Sequence, residues 1–495
     1  MTLWRPFLRF RYRYRYKCAH GKLGVIFHYS SWVALCVAVL FPLGVQAREA
    51  GFLDHEFPLT MSDGHRREIL GPLFSTQERQ TDRGWAVSPL MSYRKDTARD
   101  LEEFDLVYPV LTYARYGHEY RWQLMQLFAI SGGNDQEDQT TKRTTIFPIF
   151  FKSKSPDPSR NYLAVLPFYG TIKNRLMRDK IEFIAFPIYL KSWKKDVVTR
   201  NFVFPIFHLR EGNNLHGWQV FPLVGAETKG VTSVTNRFGG VEKVPDHHKS
   251  FVLWPIYATF DQAVGTTNQV KNRLVLPFYS SVRTPERDST SFLLPFGPTF
   301  TNNKEKNYRE YDFPWPFIGY ARGEGKTMNR VFPLFSFAHT PTASSDFVAW
   351  PIYKKNAFKT ELVERERTRW MLFFYSDVIQ KSLATGKTFR RRDFWPFYTW
   401  RQEMDGRSRL QVLAVVEPFV PENRRVERVY SPVYAFWRAE RNPVTGHSSE
   451  SLLWNLYRSD EKPGARKVSM LFGLIRYERS PEGKSWKVFG VPTGR

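Results

Sequence analysis

Few residues in this chain have types and spacing that suggest chemistry. His247 and His248, in VPDHHKS, are the one adjacent pair among eleven histidines. On a strand, neighbouring side chains project to opposite faces, so the pair does not form a two-His metal grip and reads as a solvated loop. In SGGNDQEDQTT, Asp135, Glu137 and Asp138 offer carboxylates after a Gly-led turn, as calcium sites do. The twelve-residue calcium loop and its closing bidentate Glu are missing, which leaves a weak calcium candidate beside the simpler reading of an acidic turn. No Gly-rich phosphate loop, nucleophile elbow or zinc-protease helix occurs. The sequence therefore assigns no catalytic residue and no cofactor.

Basic clusters are more telling. Lys194-Lys195, Arg390-Arg391-Arg392 and Arg424-Arg425 each abut an aromatic run. Placed at strand ends, they would form positive rims around an apolar belt, with cations on lipid phosphates and Trp and Tyr at the interface. Solvated strand tips are the plainer alternative. The carboxylates Glu182, Asp312, Asp393 and Glu417 also stand beside aromatic runs. A glycosidase would need two of them about 5–9.5 Å apart in a cleft.

The elements that must position these groups follow from composition and spacing. Of 495 residues, 16% are aromatic, so a large core can be buried. Residues 1–47 read as a signal peptide: a basic stretch without acids, then the short apolar segment SWVALCVAVLFPLGV, broken by Pro42 and Gly44 and ending near Ala47. That apolar segment is too short to cross roughly 30 Å of hydrocarbon comfortably. Both cysteines, Cys18 and Cys36, precede Ala47, so the processed chain is expected to rely on packing without disulfides. Seven of the 73 basic residues also precede it, leaving an excess of 18 positive charges over the 48 acids. Such an excess favours a membrane surface, a lipopolysaccharide-type anionic lipid or an acidic glycan, while the export signal argues against nucleic acid.

Residues 48–495 read as one repetitive β domain of about 21 units, each of roughly 20 residues. The units centre on a proline: YPVL at Pro109, FPIY at Pro187, FPIF at Pro205, WPIY at Pro255, WPIY at Pro351, WPFY at Pro396. The interval between Pro222 and Pro255 holds one insertion. Short runs of aromatic and β-branched residues between Gly, Asn, Asp and Pro clusters predict strands, and a central proline excludes helix. In FIAFPIYL both faces of a continuous strand would be apolar, with the proline at a recurring bend or break. The expected fold is an all-β antiparallel meander of about 20 repeated strands, curled or closed into a barrel-like or propeller-like form.

The whole stretch after Ala47 resembles uncharacterised bacterial envelope proteins built from repeated [WF]-P-[LIF]-[FYI] strands. The resemblance implies no activity, cofactor or site residue. Together these readings predict a non-enzymatic exported protein at the outer membrane or in the periplasm of a Gram-negative bacterium. Its expected role is structural, transport or anionic-ligand binding. A carbohydrate-active enzyme or glycan-binding protein on a β-repeat scaffold is the alternative.

Overall fold

The computed structural model describes residues 52–133, 141–235, 240–421 and 423–492. The export segment 1–47 and the calcium candidate Asp135, Glu137 and Asp138 lie outside the described residues. Strands are numbered β1 to β45 from the N-terminus. Forty-three of them form one antiparallel sheet, and each pairs with its sequence neighbours. The other two, β20 (Thr232–Thr235) and β21 (Val241–Val244), make a separate hairpin. That hairpin is the insertion after Pro222, and it leaves β19 (Val224–Lys229) paired directly with β22 (His247–Val252).

One unit is a hairpin, which corrects the expectation of one strand per unit. In FIAFPIYL, β14 (Arg178–Ile184) ends at Ile184, residues 185–188 form a turn, and β15 (Tyr189–Lys194) starts at Tyr189. The run looked apolar on two sides because it crosses a turn. Phe183 pairs with Leu190 on one face, and Ile184 pairs with Tyr189 on the other.

The proline position follows from its missing N–H. Inside a ladder it would deprive a neighbouring carbonyl of its donor, whereas in a turn its own carbonyl remains useful. Phe186 N donates to Pro167 O at 2.6 Å, Phe204 N to Pro187 O at 2.7 Å, and Trp350 N to Pro333 O at 2.8 Å. A second bond accompanies these, such as Val203 N to Ile188 O at 2.6 Å. Successive turns thus continue the ladder past the strand ends. Rings meet at a tilt along the same row, with Phe186 5.8 Å from Phe204 and Phe332 5.5 Å from Trp350.

In a meander every second connection falls on the same edge, so the sheet has two different edges. The proline turns and their proline-free versions, residues 371–374, 453–456 and 471–474, occupy one. Turns without the aromatic-proline unit occupy the other, mostly polar as in Lys195-Asp196 and Asn213-Asn214, but with exposed Leu176-Met177, Leu362 and Val444 among them. At Asn213-Asn214, φ of 52° and 56° suits the tight hairpin that Asn tolerates. Gly212, at φ 119°, is required beside it, because a Cβ there would lie 2.0 Å from Asp196 O.

The two faces also differ. On the inner face β13 (Tyr169–Arg175) and its neighbours bury an apolar cluster of Phe151, Ala164, Ile172, Ile181 and Phe183. Elsewhere this face mixes buried small polar residues such as Ser192, Thr199, Thr301 and Ser336 with apolar ones such as Phe251, Phe260 and Phe347. Ser289 and Thr301 hydrogen-bond across it at 2.9 Å.

Phe183 is 2% exposed and Phe204 44%. Phe183→Ala is expected to lower unfolding free energy by about 3–5 kcal/mol in urea titrations, and Phe204→Ala by less than about 1 kcal/mol. Equal losses would contradict the assignment of turn side chains to the surface.

Candidate functional site

The outer face next to the proline edge carries a continuous apolar row. It consists of the residue pairs that close each hairpin: Leu106 with Leu111, Ile184 with Tyr189, Phe202 with Phe207, Val252 with Tyr257, Trp370 with Tyr375, Phe394 with Tyr398. Between hairpins the row continues, as in Tyr189 with Phe202 and Tyr353 with Trp370, whose rings are 5.3 and 4.9 Å apart. Beyond the row the turn side chains stand free, with Phe168 70% exposed, Phe278 64% and Phe397 58%. Two residues inward on the same face the row is mixed: Lys191, Arg200, Lys355 and Arg392 stand opposite Glu182, Leu209, Asp346 and Asp377, and Trp218, Tyr320 and Phe337 lie at the same depth. The outer face thus passes from an apolar row to a mixed row of cations, acids and aromatics.

The structure separates the basic residues singled out in the sequence. Lys194 and Lys195 are exposed at the polar edge, and the Lys195 amide donates to Asp179. In β36 (Thr388–Phe394), Arg390 and Arg392 share the outer face and both approach Asp377, Arg390 at 2.6 Å and Arg392 at 3.4 Å. Arg391 points to the inner face, buried on Asp393 at 3.0 Å and on Glu417 O at 2.8 Å. Arg424 and Arg425 open a short helix, α1 (Arg424–Val429), in the long connection between β38 (Ser408–Val412) and β39 (Trp437–Asn442). Arg424 is exposed, and Arg425 bonds Glu103 at 3.0 Å and Asp105 at 3.2 Å.

The candidate carboxylates are similarly occupied. Glu182 pairs with Lys180 at 2.5 Å, Asp312 with Arg330 at 2.7 Å, and Glu417 accepts from Gln411 at 2.8 Å. His247 bonds Glu227 at 2.8 Å on the inner face, while His248 lies 3.3 Å from Thr228 on the outer one.

Sequence reasoning missed a charged interior. The inner faces of the first and last strands meet: Asn455 donates to Glu68 at 2.7 Å, Asn442 to Thr60 O at 3.0 Å, and Arg476 to Asp54 O at 2.9 Å. Between them, and capped by α1, lies a cavity of about 370 Å³. Eleven arginines and six carboxylates line it. Arg66 bonds Glu68 at 2.7 Å, Arg409 bonds Glu440 at 2.7 Å, and the Arg458 guanidinium lies 3.2 Å over the Phe57 ring. Burial pushes the Glu68 carboxyl up, but Arg66, Arg438, Arg458 and the Asn455 amide outweigh it and bring its pKa down to about 2. Burial, reinforced by Arg476 and Arg458, lowers His55 to about 4.

Comparison with known proteins finds no family model that matches this chain and no curated protein that matches its sequence.

Both lowered groups make stability fall with acid, in separate windows. His55 stays neutral when folded, so its contribution is complete above about 6.5 and drains away as pH falls to about 4. Glu68 stays ionised when folded, so its contribution is complete above the ordinary carboxylate range and drains away as pH falls to about 2. In denaturant titrations across pH, His55→Gln should remove the first decline and Glu68→Gln the second. At pH 7 Glu68→Gln should already cost about 3–5 kcal/mol, because it strips buried arginines of their partner. Unchanged acid profiles in both variants would refute this account of the interior.

Proposed function

We propose that this is an exported envelope protein that seats the apolar edge of its sheet in one leaflet of a membrane. The polar edge stays in water, and the role is structural or in transport at the outer membrane. The observation that carries the reading is the uninterrupted apolar row with its exposed turns. A row this long exceeds the few hundred Å² of contiguous apolar surface that soluble monomers usually show. Its depth, a turn plus the closing pair, is about 10 Å, which suits one leaflet. The strands have at most eight residues, short of the roughly 9–11 that cross a bilayer as a tilted strand. Backbone polarity at this edge is met by the turn-to-turn bonds, which lowers the cost of entering lipid. The cations two residues inward lie about 7 Å from the closing pairs, at headgroup depth.

In this reading the sheet curls so that its ends overlap through side chains, and the edge describes an arc on the bilayer. The basic leader and the positive excess support delivery to an envelope with anionic lipid.

The test is flotation with phosphatidylglycerol-containing vesicles at low and high salt. Wild-type protein should float at both, more weakly at high salt. The triple variant Phe168→Asp, Phe278→Asp, Phe397→Asp should lose about tenfold or more in partitioning, since each buried Phe is worth about 1.5–3 kcal/mol. Absence of flotation by the wild type would overturn the proposal. So would an oligomer, broken by the triple variant, that never binds vesicles.

A further inference from the structure

We infer that the cavity between the first and last strands is a binding site for a phosphate-bearing small anion, a phosphomonoester or diphosphate. The lining cations are all arginines, whose planar fork matches phosphate oxygens in pairs where lysine offers only a point charge. Most of them are committed to carboxylates, including Asp393, Asp460, Glu103 and Asp105 behind the lining. Some donors remain. The Arg438 side chain, on β39, has neither a hydrogen bond nor an ion pair among the described residues, while its backbone stays in the ladder. Arg66, 8% exposed, keeps its Nη2 buried and unpartnered, and so does Arg428 its Nε. Ser449, which accepts from Thr60 at 2.7 Å, adds a hydroxyl donor to the same lining, while Ser451 donates to Asn455.

Arg438 is half-buried in the lining beside Glu68 and Glu440 and bonds neither, which leaves its guanidinium free to meet an anion. Burial, with Arg66 and Arg409 close by, lowers the Arg438 pKa to about 10, even though Glu68 and Glu440 oppose the shift. Burial likewise lowers Arg428. An anion that accepted from these donors would relieve both. At about 370 Å³ the cavity falls in the range of small-molecule sites and has room beyond a lone phosphate.

The same chemistry could reach the site as a soluble phosphate ester or as a lipid headgroup, and the experiment separates the two. Purified full-length protein is titrated with inorganic pyrophosphate by calorimetry and thermal denaturation, and in parallel with phosphatidic acid vesicles. Wild type should bind pyrophosphate and melt at a higher temperature in its presence, as any ligand of the native state requires. Arg438→Met also removes a cation that helps hold Glu68 ionised, so it is read by the affinity of the folded protein: pyrophosphate binding should weaken about tenfold or more. The edge variant Phe168→Asp, Phe278→Asp, Phe397→Asp should keep pyrophosphate binding, which makes failure of the cavity distinguishable from failure of the membrane edge. Vesicle-only protection lost with Arg438→Met would identify a headgroup as the source. No response to either probe, or a response that Arg438→Met leaves intact, overturns the inference.

Discussion

Proline can accept a hydrogen bond from the backbone but cannot give one, and the sheet is organised around that asymmetry. A proline in every unit would break an ordinary ladder. Set in a turn, it gives up nothing, because the bond that matters runs from the following turn's amide to its carbonyl, as from Phe204 to Pro187. The turns then pair with one another as the strands do. Once they pair, side-chain periodicity fixes the closing residues of each hairpin on the same face, and a row such as Ile184, Tyr189, Phe202, Phe207 results. The ring contacts and the apolar character of that edge follow from register.

The opposite constraint shapes the inner face. It mixes Ser, Thr, Gly and charged residues with apolar ones along the sheet, and the first and last strands meet through polar side chains. Buried ion pairs seldom add much net stability. They demand geometry, and here Glu68 must satisfy Arg66 and Asn455 together. The apolar cluster around Phe183 supplies ordinary core packing, while the arginine network fixes which ends face each other.

How much of this was legible depends on range. The all-β class, the antiparallel order, the unit length and the insertion after Pro222 are local properties, and each is visible in aromatic runs and turn residues. The two-strand unit was hidden because Phe183 to Leu190 reads as one apolar segment, although its centre is a turn. Alternation just beyond it, Leu190 and Ser192 against Lys191 and Trp193, was the available clue. Arg390 to Arg392 looked like one cluster, yet period two sends Arg391 inward. The cavity left no signal at all, since Arg66 and Arg438 lie far apart in the chain and meet only through topology.

Amphipathic sheets usually divide apolar from polar between their two faces. This one divides them across its width as well, from turn to polar edge. A face-divided sheet would bury its apolar side against another layer. An edge-divided sheet cannot, because the turns project past every strand that could cover them. Stability of the isolated molecule therefore gains little from Phe168, Phe278 or Phe397, and a core-packing account does not explain their apolar character. The membrane seating proposed above would place those side chains in a medium that accepts apolar groups to about 10 Å, with Asn213-Asn214 and Lys195-Asp196 at the opposite edge.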